Sequence, residues 1–209
     1  EVSAKTVVVA HPEHQGHFGS PHLEQRSFVR GEAIVDVSQW DVVEVSGPDR
    51  LVWLDSLISQ QVLGLTPGTS VESLILDPKG HIEHAFFVAD DGLTTWLLTQ
   101  PGKGEALASW LLSMKFRMDV HIDYPTSKYT VLASWGLAGT NLLEGLGDPV
   151  VEFTDSWPAI GAGSVGYAPE PHPGSEWAVS YRVYEKSVDS SKLQRAGTLS
   201  LEASMIEAG

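Results

Sequence analysis

Residues 71–99 read VESLILDPKGHIEHAFFVADDGLTTWLLT, and this stretch decides the fold. Asp77-Pro78-Lys79-Gly80 has the composition of a tight turn, with Pro at its second position and Gly at its fourth. Asp90-Asp91-Gly92 carries the signal of a second hairpin. The runs they join, Val71 to Leu76, His81 to Ala89 and Leu93 to Thr99, are apolar and β-prone, so three consecutive strands are expected. Strands joined by turns this short pair antiparallel, because a parallel pair needs a long crossover.

Short β-branched runs at Ala33–Val37 and Val42–Val45 predict two strands before this meander. Ser46-Gly47-Pro48-Asp49-Arg50 is a helix-start signal. Leu51, Leu54, Leu57, Ile58 and Val62 follow at helical spacing, so a helix ending near Gly64 is expected. Beyond the meander, Leu107, Trp110, Leu111 and Met114 form one stripe of a helix over 103–116. Strands are expected at 118–123, 129–134 and 176–184, and a short helix at 138–146. Residues 155–175 are rich in Gly and Pro and read as loop, with a short strand near Ser164-Val165-Gly166. Residues 190–206 have helical character around a break at Gly197. Residues 11–31 are polar and read as an irregular arm.

The expected architecture is α+β with mainly antiparallel sheets, built from ferredoxin-like split β-α-β units. The boundaries follow: 1–30 an irregular N-terminal arm, 31–125 a first α+β unit, and 126–209 a second, incomplete at its C-terminal end.

Composition narrows the function. The 209 residues contain no cysteine, 13 Lys plus Arg and 27 Asp plus Glu, for a formal charge of −14. A thiol nucleophile and a Cys-ligated metal are excluded within these residues. An acidic chain is a poor direct ligand for nucleic acid. No apolar run approaches the roughly 20 residues a membrane helix needs. Residues 1–10 lack the basic start and long apolar core of a secretory signal, so a cytoplasmic setting is expected. Glu1 is no initiator and the chain stops at Gly209, so a fragment of a longer protein is expected.

Few motifs carry chemistry. His11, His14 and His17 are spaced by three, but Pro12 and Gly16 oppose the helix that would align them, and a solvated arm is the expectation rather than a metal site. On a strand His81 and Glu83 share one face and His84 takes the other. They cannot converge on one metal without a bulge. No nucleophile elbow, phosphate loop, dinucleotide fingerprint or zincin motif occurs. Gly161-Ala162-Gly163 lacks the third glycine and the context of a dinucleotide loop. Of the seven tryptophans most are expected in the core; Trp40 stands between two strands, flanked by Gln39 and Asp41, where an aromatic can line a pocket for a flat ring but is more often core.

The order and spacing of several stretches resemble the glycine-cleavage T-protein superfamily. These are Asp36-Val37-Ser38, then Val45-Ser46-Gly47-Pro48-Asp49-Arg50-Leu51 with Trp53-Leu54, then Leu63–Gly68, then Leu76-Asp77-Pro78-Lys79-Gly80-His81-Ile82. The likeness returns from Ala196-Gly197-Thr198 through Glu207-Ala208-Gly209. The "SGPDR…WL" and "DPKGHI" stretches look closer to the folate-binding YgfZ-type branch than to the aminomethyltransferases.

The resemblance implies a GcvT-like folate-binding fold and tetrahydrofolate, or a derivative, as cofactor. It places folate contacts at Trp40, His84, Thr99 and Tyr181. His84 falls where the T-protein "GGIxDD" pattern has its first Asp, and Ala85 where it has the second. The carboxylate is gone, so no catalytic residue and no metal ligand is assigned. The arginine of the family's "LRxEAG" helix falls at Met205, and the acidic residue of its "TGE" motif has no match. Lys79, Lys103, Lys115 and Arg117 are the basic groups available to an anionic folate tail. The YgfZ-type branch implies support of iron–sulfur enzymes or tRNA modification through one-carbon chemistry. Its partners would be folate and iron–sulfur client proteins, without direct nucleic-acid or membrane binding. The alternatives are an aminomethyltransferase of the glycine cleavage system and a non-catalytic binding or scaffold module.

Overall fold

The structure, a computed structural model, describes residues 16–155, 157, 172 and 174–208. Among the described residues ten strands form two five-stranded sheets. Sheet I comprises β1 (Ile34–Asp36), β7 (Tyr129–Trp135), β8 (Val151–Thr154), β9 (Val179–Glu185) and β10 (Arg195–Ala196), in the order β10-β1-β7-β9-β8. Sheet II comprises β2 (Asp41–Ser46), β3 (Ser70–Leu76), β4 (Ile82–Asp90), β5 (Thr94–Thr99) and β6 (His121–Asp123), in the order β3-β4-β5-β2-β6. Every pairing is antiparallel except β1 with β10. The α+β class with antiparallel sheets is therefore correct. The β3–β4–β5 meander forms as its turns dictate. The Asp77 carboxylate accepts the amides of Lys79 and His81 at 2.7 and 2.9 Å, and Gly80 takes φ 86°, open to glycine without strain.

The sheets pack face to face. Alternation along each strand sends one set of side chains between them and the other set outward. Phe87, Ala89, Trp96 and Leu98 of sheet II meet Val131, Phe153, Tyr181 and Val183 of sheet I in the largest core cluster. The outer face of sheet II packs Val43, Val88 and Leu97 against Trp53 and Leu54 of α2 (Arg50–Asp55) and Leu107 and Leu111 of α3 (Gly104–Ser113). The outer face of sheet I buries Ile34, Leu132 and Tyr184 with Leu143 of α4 (Gly136–Leu143).

Three expectations need correction. Residues 21–29 are not irregular: they form α1 (Pro21–Val29), started by Pro21 and by Glu24, whose Oε1 accepts the amides of Phe18 and Ser20 at 2.8 and 3.0 Å. The helix expected to reach Gly64 stops at Asp55, whose carboxylate accepts the amides of Val62 and Leu63 and turns the chain back. Leu57, Ile58 and Val62 still pack on the same core, so apolar spacing that imitates a helix serves an irregular loop. Residues 190–196 are not helical. They turn and enter β10, leaving only α5 (Thr198–Ala208) as helix. The short strand β8 also had no signal beyond the alternation of Val151 and Phe153. The strand considered near Ser164 lies outside the described residues.

Candidate functional site

A cleft of ≈ 290 Å³ opens along one edge of sheet II. Its walls come from sheet II, from connections next to strands of sheet I, and from α5. β3 contributes Glu72, β4 Ala85 and Phe87, and β5 Leu98 and Thr99. Trp40 enters from the β1–β2 connection, Asp155 and Trp157 from the exit of β8, and Trp177 from the approach to β9. Met205 and Ala208 of α5 close one end. Apolar walls carrying a few polar groups are what a small flat ligand requires.

The aromatic wall is locked in place. The Trp40 ring stacks on Tyr181 at 5.2 Å and 28° and on Phe87 at 6.4 Å and 19°. Phe87 and Tyr181 meet at 5.4 Å. The Trp40 amide donates to Val37 O at 2.8 Å, so the backbone of the connection is held as well. Trp177 meets Trp135 edge-on at 5.2 Å.

Four residues were singled out from sequence, and the structure brings together three. Trp40 and Thr99 line the cleft. Tyr181 lies directly behind Trp40, fully buried. The Thr99 hydroxyl is spent on the backbone, donating to Ala85 O at 2.8 Å. His84 does not join them. It sits on the outer face of sheet II, 6.3 Å from the Trp110 ring of α3. Strand parity is the reason: Ala85 and Phe87 face the cleft, so His84 must face away. Burial lowers the His84 pKa, a minor effect of Lys103 adds to this, and Glu83 opposes it.

Sequence reading missed the cleft's carboxylates. Asp155 is 9% exposed and accepts the Trp157 amide at 3.1 Å. Burial pushes its pKa up, against the Trp157 amide and the Trp177 indole, which favour the charged form. Glu72 stands at the rim, open to solvent. Crowding by the cleft walls first, and the charge of Asp155 second, push its pKa up as well. Neither residue lies in a motif; the only signal was an acidic residue within the apolar run Val71–Leu76. Among the described residues no lysine or arginine lines the cleft. His81 is engaged at the turn below, its Nδ1 2.8 Å from Asp77 Oδ2. His17 Nδ1 accepts the Gly19 amide at 3.1 Å; His11 and His14 lie outside the described residues. Among the described residues no helix is long and apolar enough to cross a membrane.

Comparison with known proteins converges on one family. The family described as the GCVT N-terminal domain matches residues 5–156. An aminomethyltransferase of Chromobacterium violaceum is 31% identical over 119 residues, covering 56% of this chain and 33% of that protein. One of Bacillus subtilis is 27% identical over 149 residues, covering 71% of this chain and 41% of that protein. The chain thus spans less than half the length of these relatives. The crystal structure of glycine cleavage system aminomethyltransferase T from Bartonella henselae aligns with TM-score 0.56 at 14% identity, over 78% of this chain and 45% of that one. That likeness speaks for the fold. The matched span runs from the N-terminal region through β8 and takes in Trp40, Glu72, Thr99 and Asp155; this chain belongs to the GCVT N-terminal domain family.

Proposed function

We propose that the chain is the folate-binding part of an aminomethyltransferase-type protein. The observation that carries this is the aromatic-walled cleft of Trp40, Phe87, Trp157 and Trp177, in a chain of this family. The rings of a reduced folate are flat with apolar faces, and stacked aromatic walls suit them. Trp40 and Phe87 would hold the ring system, and the walls would exclude water from it. Bound tetrahydrofolate supplies the nitrogen atoms that accept a one-carbon unit. The relatives named aminomethyltransferase favour aminomethyl transfer in the whole protein.

One observation favours a second reading, a folate-binding protein of YgfZ type that supports iron–sulfur enzymes. β4 presents Ala85 to the cleft and turns His84 away, so no carboxylate reaches the cleft from that strand. A positioned general base contributes about 10²–10⁴-fold to a proton-transfer step. Calorimetry of tetrahydrofolate against the chain tests the shared core: Trp40→Ala should weaken binding about tenfold, from the loss of one stacking wall, and keep the fold. Equal binding by both forms would remove the folate assignment. An assay of aminomethyl transfer with the partner proteins of glycine cleavage then separates the readings. Turnover supports the first, and folate binding without turnover the second.

A further inference from the structure

The C-terminal end of α3 departs sharply from the rest of the chain in its chemistry. Residues 106–118 hold Lys115 and Arg117 and no carboxylate, in a chain of formal charge −14. Between these two cations stands Phe116, 89% exposed, with Leu112 and Met114 exposed just before it. Single exposed apolar residues are ordinary, but three within five positions, rimmed by charge of one sign, form a patch of the kind that marks an interaction surface.

Phe116 also has a strained backbone. Its φ of 46° makes it, among the described residues, the one residue other than glycine in the left-handed region. A bulky side chain enters that region at a cost, and such costs persist where the surroundings enforce them. The surroundings do so here. Before the turn, the Met114 and Lys115 amides donate to Leu111 O and Leu112 O at 3.0 and 3.3 Å, and Met114 O accepts the Trp53 indole at 3.1 Å. After it, Met118 packs against the core on the outer face of sheet II and Val120 enters that core. Asp49 Oδ2 accepts the Asp119 amide at 2.8 Å. The turn itself is closed by the Met118 amide, which donates to Lys115 O at 3.0 Å. The Arg117 guanidinium lies 5.5 Å from the centre of the Phe116 ring. The fold thus holds an aromatic ring and a cation out in water, on a strained backbone, where packing gains nothing from them.

We propose that Met114–Arg117 is a docking point for an acidic segment of a partner protein: an apolar recess of the partner takes the Phe116 ring, and its carboxylates meet Lys115 and Arg117. Aromatic and arginine side chains are the usual anchors of protein interfaces, and an anchor already held in place loses little freedom on binding. Charge complementarity selects the partner. A second copy brings another −14 and is repelled. A flat anionic lipid surface faces far more of this acidic chain than the tip. Screening over about 8–10 Å lets a narrow acidic segment feel the two cations instead. Asp49 and Asp119, at the base of the turn, mark the edge of that basic zone. The cleft lining includes none of these residues, so the docking point does not depend on what the cleft binds.

A labelled peptide of Glu and Leu in helical repeat is the probe, with its Lys-for-Glu counterpart and phosphatidylserine vesicles beside it. Each is titrated with the 209-residue chain, the peptides followed by fluorescence anisotropy and the vesicles by co-sedimentation. The acidic peptide should bind saturably, and the Lys counterpart and the vesicles should not. Phe116→Asn and the double variant Lys115→Gln/Arg117→Gln should each lower affinity for the acidic peptide tenfold or more. Asn tolerates the left-handed region, so Phe116→Asn should melt no lower than wild type. Lys186→Gln, a cation away from the tip, should leave peptide affinity unchanged. No binding of the acidic peptide by wild type, equal binding of the Lys counterpart, or unchanged affinity in both tip variants would overturn the docking point. Vesicle binding that Phe116→Asn abolishes would assign the tip to lipid, and a lower melting temperature of Phe116→Asn would give the ring a structural role; either result also overturns it.

Discussion

Ser70 and Thr154 make a reciprocal contact: one hydroxyl serves both the carbonyl and the amide of a single residue, at 2.9 and 2.8 Å. The two residues belong to different sheets and stand 84 positions apart. At this point sheet II is stitched to sheet I, next to the positions of Glu72 and Asp155. Ser70→Ala leaves the Thr154 amide and carbonyl without this partner. It should cost about 1–2 kcal/mol, read as a lower urea midpoint. Ligand affinity should fall with it, because the cleft walls are no longer held at a fixed distance.

The raised pKa values of Glu72 and Asp155 give stability a definite slope. Burial disfavours the charged form of Asp155, and crowding by the cleft walls with the charge of Asp155 disfavours that of Glu72. Each therefore holds its proton more tightly folded than unfolded, so ionisation at neutral pH destabilises the protein. The penalty shrinks as pH falls through the raised folded values and is gone below the unfolded carboxylate range, about pH 4. The double variant Glu72→Gln/Asp155→Asn should melt at a higher temperature than wild type at pH 7, with the two curves converging near pH 4. A gain that persists unchanged at pH 4 would show that packing, not charge, is responsible.

Asp90 behaves in the opposite sense. Its carboxylate meets Arg50 Nε and Nη2 at 2.8 Å each and accepts the Thr95 hydroxyl at 2.5 Å. Burial opposes its ionisation, but these bonds outweigh it and hold its pKa below the usual value. Stability from this pair is present above the unfolded carboxylate pKa and is lost as pH falls through the depressed folded one. Arg50→Met strands a buried carboxylate and should cost about 3 kcal/mol at pH 7. Its acid-unfolding midpoint should move to higher pH than wild type.

Gly47 of the "SGPDR" stretch is there for space as well as conformation. It takes φ 109°, and a Cβ would stand 2.3 Å from Asp119 O. Backbone cannot swing aside as a long side chain can. Gly47→Ala should destabilise by more than about 2 kcal/mol, measured by chemical denaturation. A loss under about 0.5 kcal/mol, the range of a neutral surface change, would show that the β2–α2 corner yields.

Much of the fold was legible because its signals are local. Pro78, Gly80 and Gly92 mark turns within a few residues, and period-two alternation then fixes the strands between them. The misreadings share one cause, which is that tertiary context outweighed local pattern. Leu57, Ile58 and Val62 have helical spacing, yet Asp55 folds that segment into a loop. Residues 190–196 look helical, yet β1 recruits Arg195 and Ala196 as a strand. The cleft was half legible. Trp40 carried its own signal, a tryptophan between two strands. Glu72, Asp155 and Trp177 meet only because separate sheets carry them to one place, and no short window of sequence contains that fact. His84 was drawn from resemblance, and strand parity sends it to the helix-covered face.

Sheet II is assembled wholly from residues 41–123, whereas sheet I brackets it, with β1 before and β7 to β10 after. During synthesis the neighbours of β2 to β6 emerge within a short stretch of chain, so sheet II and its helices can close first at low loop entropy. β1 leaves the ribosome early and waits for β7, about a hundred residues later, and for β10 after that. Ala33, Ile34 and Val35, all fully buried at the end, spend that interval uncovered. A nascent chain halted between β6 and β7 therefore presents a finished sheet and a short sticky strand, which makes this stage the one most exposed to chaperones and to aggregation.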